Sequence, residues 1–150
     1  MKISQYAKLL PIAALIGVTP VTLLAQNELP TVAIRHISTT YANQGICSLR
    51  FGLGKFIGDG DAGEVIIKLK FIDPKGRELL QGELFASLDN SETGRYQEVF
   101  LEDPNACLDS STKVIVLRAT AKIGKKKFDL LKLHKLVIDD FKPMAIIIQK

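Results

Sequence analysis

The chain reads as an all-β protein, an antiparallel two-sheet sandwich of fibronectin type III or immunoglobulin-like character. Three observations predict it. Apolar residues recur with a period of two in seven or eight short segments; turn residues separate those segments; and no stretch carries the period of a long helix. A small barrel satisfies much of the same pattern. The chain has no Trp, the residue that packs on the bridge of antibody-type domains, which argues against a true immunoglobulin member.

The strands follow in order. Thr31 to Thr40 is the first, with Val32 and Ile34 alternating imperfectly against Thr31, Arg35 and His36. Ile46 to Leu53 is cleaner: Cys47, Leu49, Phe51 and Leu53 share one face and Ser48 and Arg50 the other, as a sheet with one buried face requires. Glu64 to Ile72 is the strongest, with Val65, Ile67, Leu69 and Phe71 inward and Lys68 and Lys70 outward. Asp73-Pro74-Lys75-Gly76 reverses the chain, since Pro74 presets its backbone angle and Gly76 tolerates a positive one. Arg77 to Ala86 returns, with Leu79 and Phe85 on one side and Leu80 and Leu84 on the other. Beyond the polar turn Asp89–Gly94, Arg95 to Leu101 forms a shorter strand.

Lys113 to Ala121 is a near-continuous apolar run rich in β-branched residues, the mark of a strand covered on both sides. Ile123-Gly124-Lys125 makes a hairpin apex before the returning strand Lys126 to Leu131. Leu133 to Ile138 fits either a strand or a short helical turn, and Ala145 to Gln149 closes the chain as a last strand. No linker or internal repeat divides the domain.

The first segment is of another kind. Lys2 and Lys8 give a positive start, and Leu9 to Leu24 carries no charge. Pro11 and Pro20 interrupt it, and it is shorter than the roughly 20 residues that a bilayer demands. Residues 1–25, ending in Leu23-Leu24-Ala25, therefore read as a signal peptide, and residues 26–150 as one exported β-sandwich domain. Its destination is periplasmic or secreted, with no stable membrane insertion once the leader is removed. In an oxidising compartment Cys47 and Cys107 are expected to form a structural disulfide, closing a loop of about 60 residues worth about 4 kcal/mol on the chain-entropy model. Cys107 falls just before a strand, which suggests a tether from strand to loop.

Charge is unevenly spread. Asp59 to Asp109 holds 12 acids and 5 bases, whereas Lys113 to Lys150 holds 10 bases and 3 acids. Either adjoining strands neutralise each other across a sheet, or the bases gather on one face and attract an acidic partner. Nucleic acid is disfavoured, because no aromatic residues interleave with the lysines.

No constellation for catalysis, metal or cofactor emerges, so the chain reads as non-enzymatic. Gly52-Leu53-Gly54-Lys55 and Gly58 to Glu64 lack the Gly-Lys-Ser/Thr ending of a phosphate cradle. Counted from Asp59, the twelfth position, where a calcium loop needs Glu, is Lys70, so Asp59, Asp61 and Glu64 read as a flexible acidic loop. His36 and His134, the two histidines, lack zinc spacing and suit surface or packing roles. Two features are candidate interaction surfaces. Lys122, Lys125, Lys126 and Lys127 crowd one hairpin tip, serving either recognition or edge protection. Met144 to Ile148 is either a core strand or an exchangeable one.

Cys47 in an early alternating strand, Cys107 before a late one, the Asp73-Pro74-Lys75-Gly76 reversal and the Phe141-Lys142-Pro143 ending together resemble the interleukin receptor mimic family of small secreted bacterial proteins. The likeness covers most of the chain after residue 25. It implies a fibronectin type III-like fold, a homodimer that can exchange strands, and binding of a host cytokine without catalysis. It carries over no binding residue. The competing function class is a structural or pilus-type assembly subunit, which would leave an unfilled groove for a donated strand.

Overall fold

Alternating side chains need two sheets facing each other to hide one row each, and the chain supplies them. The computed structural model describes residues 29–109, 111–139 and 144–148. The expected signal peptide and the Phe141-Lys142-Pro143 ending lie outside the described residues. Within them run β1 (Thr31–Asn43), β2 (Ile46–Ile57), β3 (Glu64–Ile72), β4 (Glu78–Ser87), β5 (Tyr96–Asp103), β6 (Lys113–Ile123), β7 (Lys126–Asp129), β8 (Leu136–Ile138) and β9 (Ala145–Ile148), with one 3-10 turn at Pro104–Ala106. One sheet has the order β5-β2-β1-β8; the other has β4-β3-β6, with β7 and β9 both beside β6. Consecutive strands β2 and β3 lie in different sheets, and β5 returns to β2, the cross-connected plan of immunoglobulin-like sandwiches.

The inner rows form one apolar core. Leu49, Phe51 and Leu53 of β2 meet Val65, Ile67, Leu69 and Phe71 of β3, all fully buried. The rings of Phe51 and Phe71 meet between the sheets at 6.3 Å, tilted by 60°, filling the centre of a sandwich that has no Trp. Where β4 and β5 close one side, the gap is narrow. A Cβ on Gly82 would stand 2.6 Å from both methyl carbons of Leu101, so a larger residue there would have to displace the Leu101 side chain.

Three register shifts explain where the alternation misleads. In β1, His36 pairs with Phe51 and Ser38 with Arg50, leaving Ile37 as an extra residue. Val32, Ile34 and His36 share the inward row before it by plain alternation, and Thr39, opposite inward Leu49, takes up that row after it; the pattern looks imperfect because polar His36 stands among the inward residues. In β6, Val116 pairs with Leu69 and Arg118 with Lys68, so Leu117 bulges. The bulge changes phase: Val114 and Val116 are inward before it, Ala119 and Ala121 after it. The continuous apolar run of β6 thus reflects two alternating halves out of step, with Ile115 and Leu117 only half-buried. A third shift, at Leu79 in β4, separates Leu80 from Glu78.

The pairings are antiparallel except for two short additions, β8 parallel to β1 and β9 parallel to β6. Period two specifies which face a residue takes and not the direction of the neighbouring strand, so the wholly antiparallel expectation needs this amendment. Leu133 to Ile138 resolves into a turn, in which His134 takes a φ of 52°, followed by β8. Met144 and Ile146 are buried and β9 pairs within its own chain, so this terminal run is a core strand.

Cys47 and Cys107 are bonded, with their Cα atoms 4.9 Å apart. Cys47 is the second residue of β2, and Cys107 follows the turn Pro104–Ala106 after β5, the neighbour of β2. The bridge ties a strand to a loop beside one sheet and does not cross the core.

The two histidines divide between packing and surface. His134 is exposed, whereas His36 is 1% exposed, its ring edge-on to Phe51 at 5.3 Å and its Nε2 3.2 Å from Thr39 Oγ1. Burial holds its pKa below the ordinary 6.5, and a backbone hydrogen bond with Ser38 opposes this in part. Between its lowered folded pKa and 6.5, the unfolded chain binds the extra proton, so stability falls as the pH drops below about 6.5. Denaturant titrations from pH 7.5 to 5 are expected to show this loss, with a slope of at most about 1.4 kcal/mol per pH unit. In His36→Phe the profile should be flatter; an unchanged slope would assign it elsewhere. The carboxylates of half-buried Asp73 and exposed Asp109 do not interfere. Backbone and side-chain hydrogen bonds lower their pKa values, so their contribution is lost only below about pH 4.

Candidate functional site

The lysine cluster stands on the β6–β7 hairpin. Ile123 pairs with Lys126, leaving Gly124 and Lys125 as a two-residue turn, and Gly124 supplies the positive φ of 58° that such a turn takes at its first position. Lys122, Lys125, Lys126 and Lys127 are all exposed. The base of the hairpin is held tightly: a Cβ on Gly63 would collide with the Lys122 carbonyl, so the loop before β3 lies directly against β6. The tip is therefore presented by a fixed scaffold.

Its electrostatics are lopsided. Lys122 Nζ lies 3.2 Å from Glu64, and Arg118 lies 3.6 Å from Glu83, so part of the basic half does neutralise the acidic half across the sheet. Among the described residues, Lys122 alone of the four hairpin lysines has a carboxylate within 4.0 Å. Lys122 and Lys127 are also direct cross-strand partners, a like-charge pairing that costs stability. Lys127→Glu should therefore raise the unfolding free energy by about 0.2–1 kcal/mol in low salt, with the gain shrinking in high salt. Chemical denaturation at two salt concentrations checks it.

A second surface escaped the sequence reading. On the outer face of the first sheet, the Arg35 guanidinium of β1 sits 3.8 Å from the ring centroid of Tyr96 at the start of β5. The Tyr96 hydroxyl donates to Asp139, just beyond β8, at 2.6 Å, and Arg35 Nη1 lies 3.6 Å from the same carboxylate. Burial, then the hydrogen bond to Asp139, pushes the Tyr96 pKa up to about 12, so the hydroxyl keeps its proton. Gly52 forms the floor, for a Cβ there would meet Tyr96 Cδ1 at 3.1 Å and Arg35 Nε at 3.2 Å. The glycines that superficially suggested a phosphate cradle thus make room for side chains and a close strand. Beside this cluster Arg50 pairs with Glu98 at 3.4 Å, and Phe100, the cross-strand partner of Arg50, is 56% exposed. Local sequence holds no signal for it beyond the two glycines, because Arg35, Tyr96 and Asp139 are distant in the chain.

The remaining candidates have structural places. Asp61 accepts the Gly63 amide, and Glu64 pairs with Lys122. Asp59 lines an open depression of about 390 Å³ with Leu29, Thr31, Ile57, Gly58, Gly60 and Lys135. Among the described residues no three of His, Cys, Asp and Glu come together as metal ligands, and no helix is long and apolar enough to cross a membrane.

Compared with known proteins, residues 32–138 match the family model described as interleukin receptor mimic protein A. Among solved structures, IrmA from Escherichia coli superposes with a TM-score of 0.60 at 23% identity, covering 78% of this chain and 98% of that one. That likeness concerns the fold. No curated protein matches the sequence.

Proposed function

The chain belongs to the interleukin receptor mimic protein A family, and from that premise we propose that it is an exported, non-enzymatic sandwich that binds a cytokine-like protein partner. The observation that carries this reading is the extent of the match, which spans nearly all of β1 and every strand through β8. The disulfide fits an oxidising destination. A donor-strand assembly subunit is less well supported, since β9 fills its own place beside β6.

For the contact surface we favour the outer face of the first sheet. Arg and aromatic side chains dominate binding hot spots, and here Arg50 and exposed Phe100 stand beside the Arg35–Tyr96–Asp139 clasp on paired strands. Paired strands hold these groups in place, so little ordering entropy is lost on binding. The test is surface plasmon resonance of the purified oxidised protein against a panel of interleukins. At least one is expected to bind, and Phe100→Ala with Arg50→Ala should weaken it at least tenfold while leaving the melting curve unchanged. Binding undiminished in that variant rejects the surface; absence of binding across the panel rejects the function.

A further inference from the structure

The hairpin lysines offer a different chemistry from the arginine and aromatic face. We propose that the β6–β7 tip binds a linear sulfated polysaccharide, independently of any protein partner. Four exposed lysines stand there within six residues, with the one described ion pair going to Glu64. Lys122 and Lys127 are held directly opposite each other on one face despite their repulsion, Lys125 sits in the turn between the strands, and Lys126, opposite Ile123, takes the other face of the ribbon. A like-charge pair kept at a cost to stability is the kind of local conflict that functional sites show. A string of sulfates relieves it, because a sulfate can sit between ammonium groups, which in turn displace the cations condensed along the polysaccharide.

The residue types favour this occupant over other polyanions. Lysine is a compact, hydrated point charge with rotatable donors, suited to sulfates at variable spacing and less to the bidentate geometry that arginine provides. Among the described residues the exposed large apolar side chains are Tyr41, Phe56, Ile57, Leu79, Phe85, Phe100 and Ile147, none of them on the hairpin. Ile123 and Phe128 on the hairpin are half-buried, so the tip offers no exposed ring on which a nucleobase could stack and no exposed large apolar side chain to enter a bilayer. Gly63 packing against the Lys122 carbonyl anchors the hairpin, so the charges are presented together.

The experiment is isothermal titration of the purified oxidised protein with a heparin octasaccharide at several salt concentrations. Binding is expected, weakening steeply with salt as counterion release demands. In Lys125→Gln/Lys126→Gln/Lys127→Gln the affinity should fall at least tenfold and the salt dependence should become shallower. A matched variant, Lys70→Gln/Lys75→Gln/Lys113→Gln, removes equal charge from the opposite end of the same sheet, where Ile72 pairs with Lys113, and should stay within twofold. Equal loss in both variants, or equal binding of fully desulfated octasaccharide, overturns the proposal. So does binding to phosphatidylserine vesicles without binding to the octasaccharide. If the lysines only guard the β7 edge, the triple variant aggregates but keeps its heparin affinity. No interleukin enters the assay, so its outcome is separate from that of the receptor-mimic reading.

Discussion

Replacing Cys47 and Cys107 together with alanine is expected to lower the unfolding free energy by about 4 kcal/mol and the melting temperature by about 10–20 °C. The bridge spans a sequence separation of 60 residues that contains β3, β4 and β5. In the unfolded chain it removes the freedom of that whole loop; in the folded protein it costs little, because β2 and β5 already bring its ends together. There is a local consequence as well. Cys107 belongs to no strand, and the segment from Pro104 to Asp109 is tied to the sheet by this bond, by buried Ala106 and by the Asp103 carboxylate accepting the Asn105 amide at 2.7 Å. Without the sulfur link the segment should exchange its amides early, before the sheets open. Calorimetry on oxidised, reduced and alanine-substituted protein measures the global effect, and hydrogen exchange the local one. A loss below about 1 kcal/mol would show that the unfolded chain is already constrained without the bond.

Phe51→Ala should cost about 3–5 kcal/mol. Phe51 is fully buried on β2, central in its sheet, with the His36 ring 5.3 Å away on one side and the Phe71 ring 6.3 Å away across the sandwich. β-Sheet neighbours are held by backbone pairing on both sides, so they cannot collapse fully into the space left behind. The cavity also touches His36. Water entering it would ease the desolvation that keeps this imidazole uncharged, so the variant should combine reduced stability with weaker dependence on pH between 7 and 5. Equilibrium denaturation at two pH values reads both; a cost below about 1.5 kcal/mol would mean that the core repacks.

Local pattern carried far into the fold. Glu64 to Ile72 was readable to the residue, since both rows alternate without interruption and a turn rich in Pro and Gly follows. The Cys47–Cys107 tether followed from the position of each cysteine. The candidate site was readable only in part. Four lysines around a Gly turn announce a basic tip, because hairpin partners lie close in sequence. The Arg35–Tyr96–Asp139 clasp gives no such signal, as its members come together only when β1 has paired with β2 and β8, and β2 with β5.

By itself, then, the amino-acid order determined the class of fold, the faces of most strands, the turns and the covalent staple. Each of these depends on neighbours a few positions away or on the two cysteines. Tertiary structure decided the phase changes at Ile37 and Leu117, the parallel placement of β8 and β9, and which outward side chains meet. The reason is physical: a strand presents alternate faces through its own backbone geometry, but register and direction are properties of a pair, settled by hydrogen bonds between segments far apart in the chain.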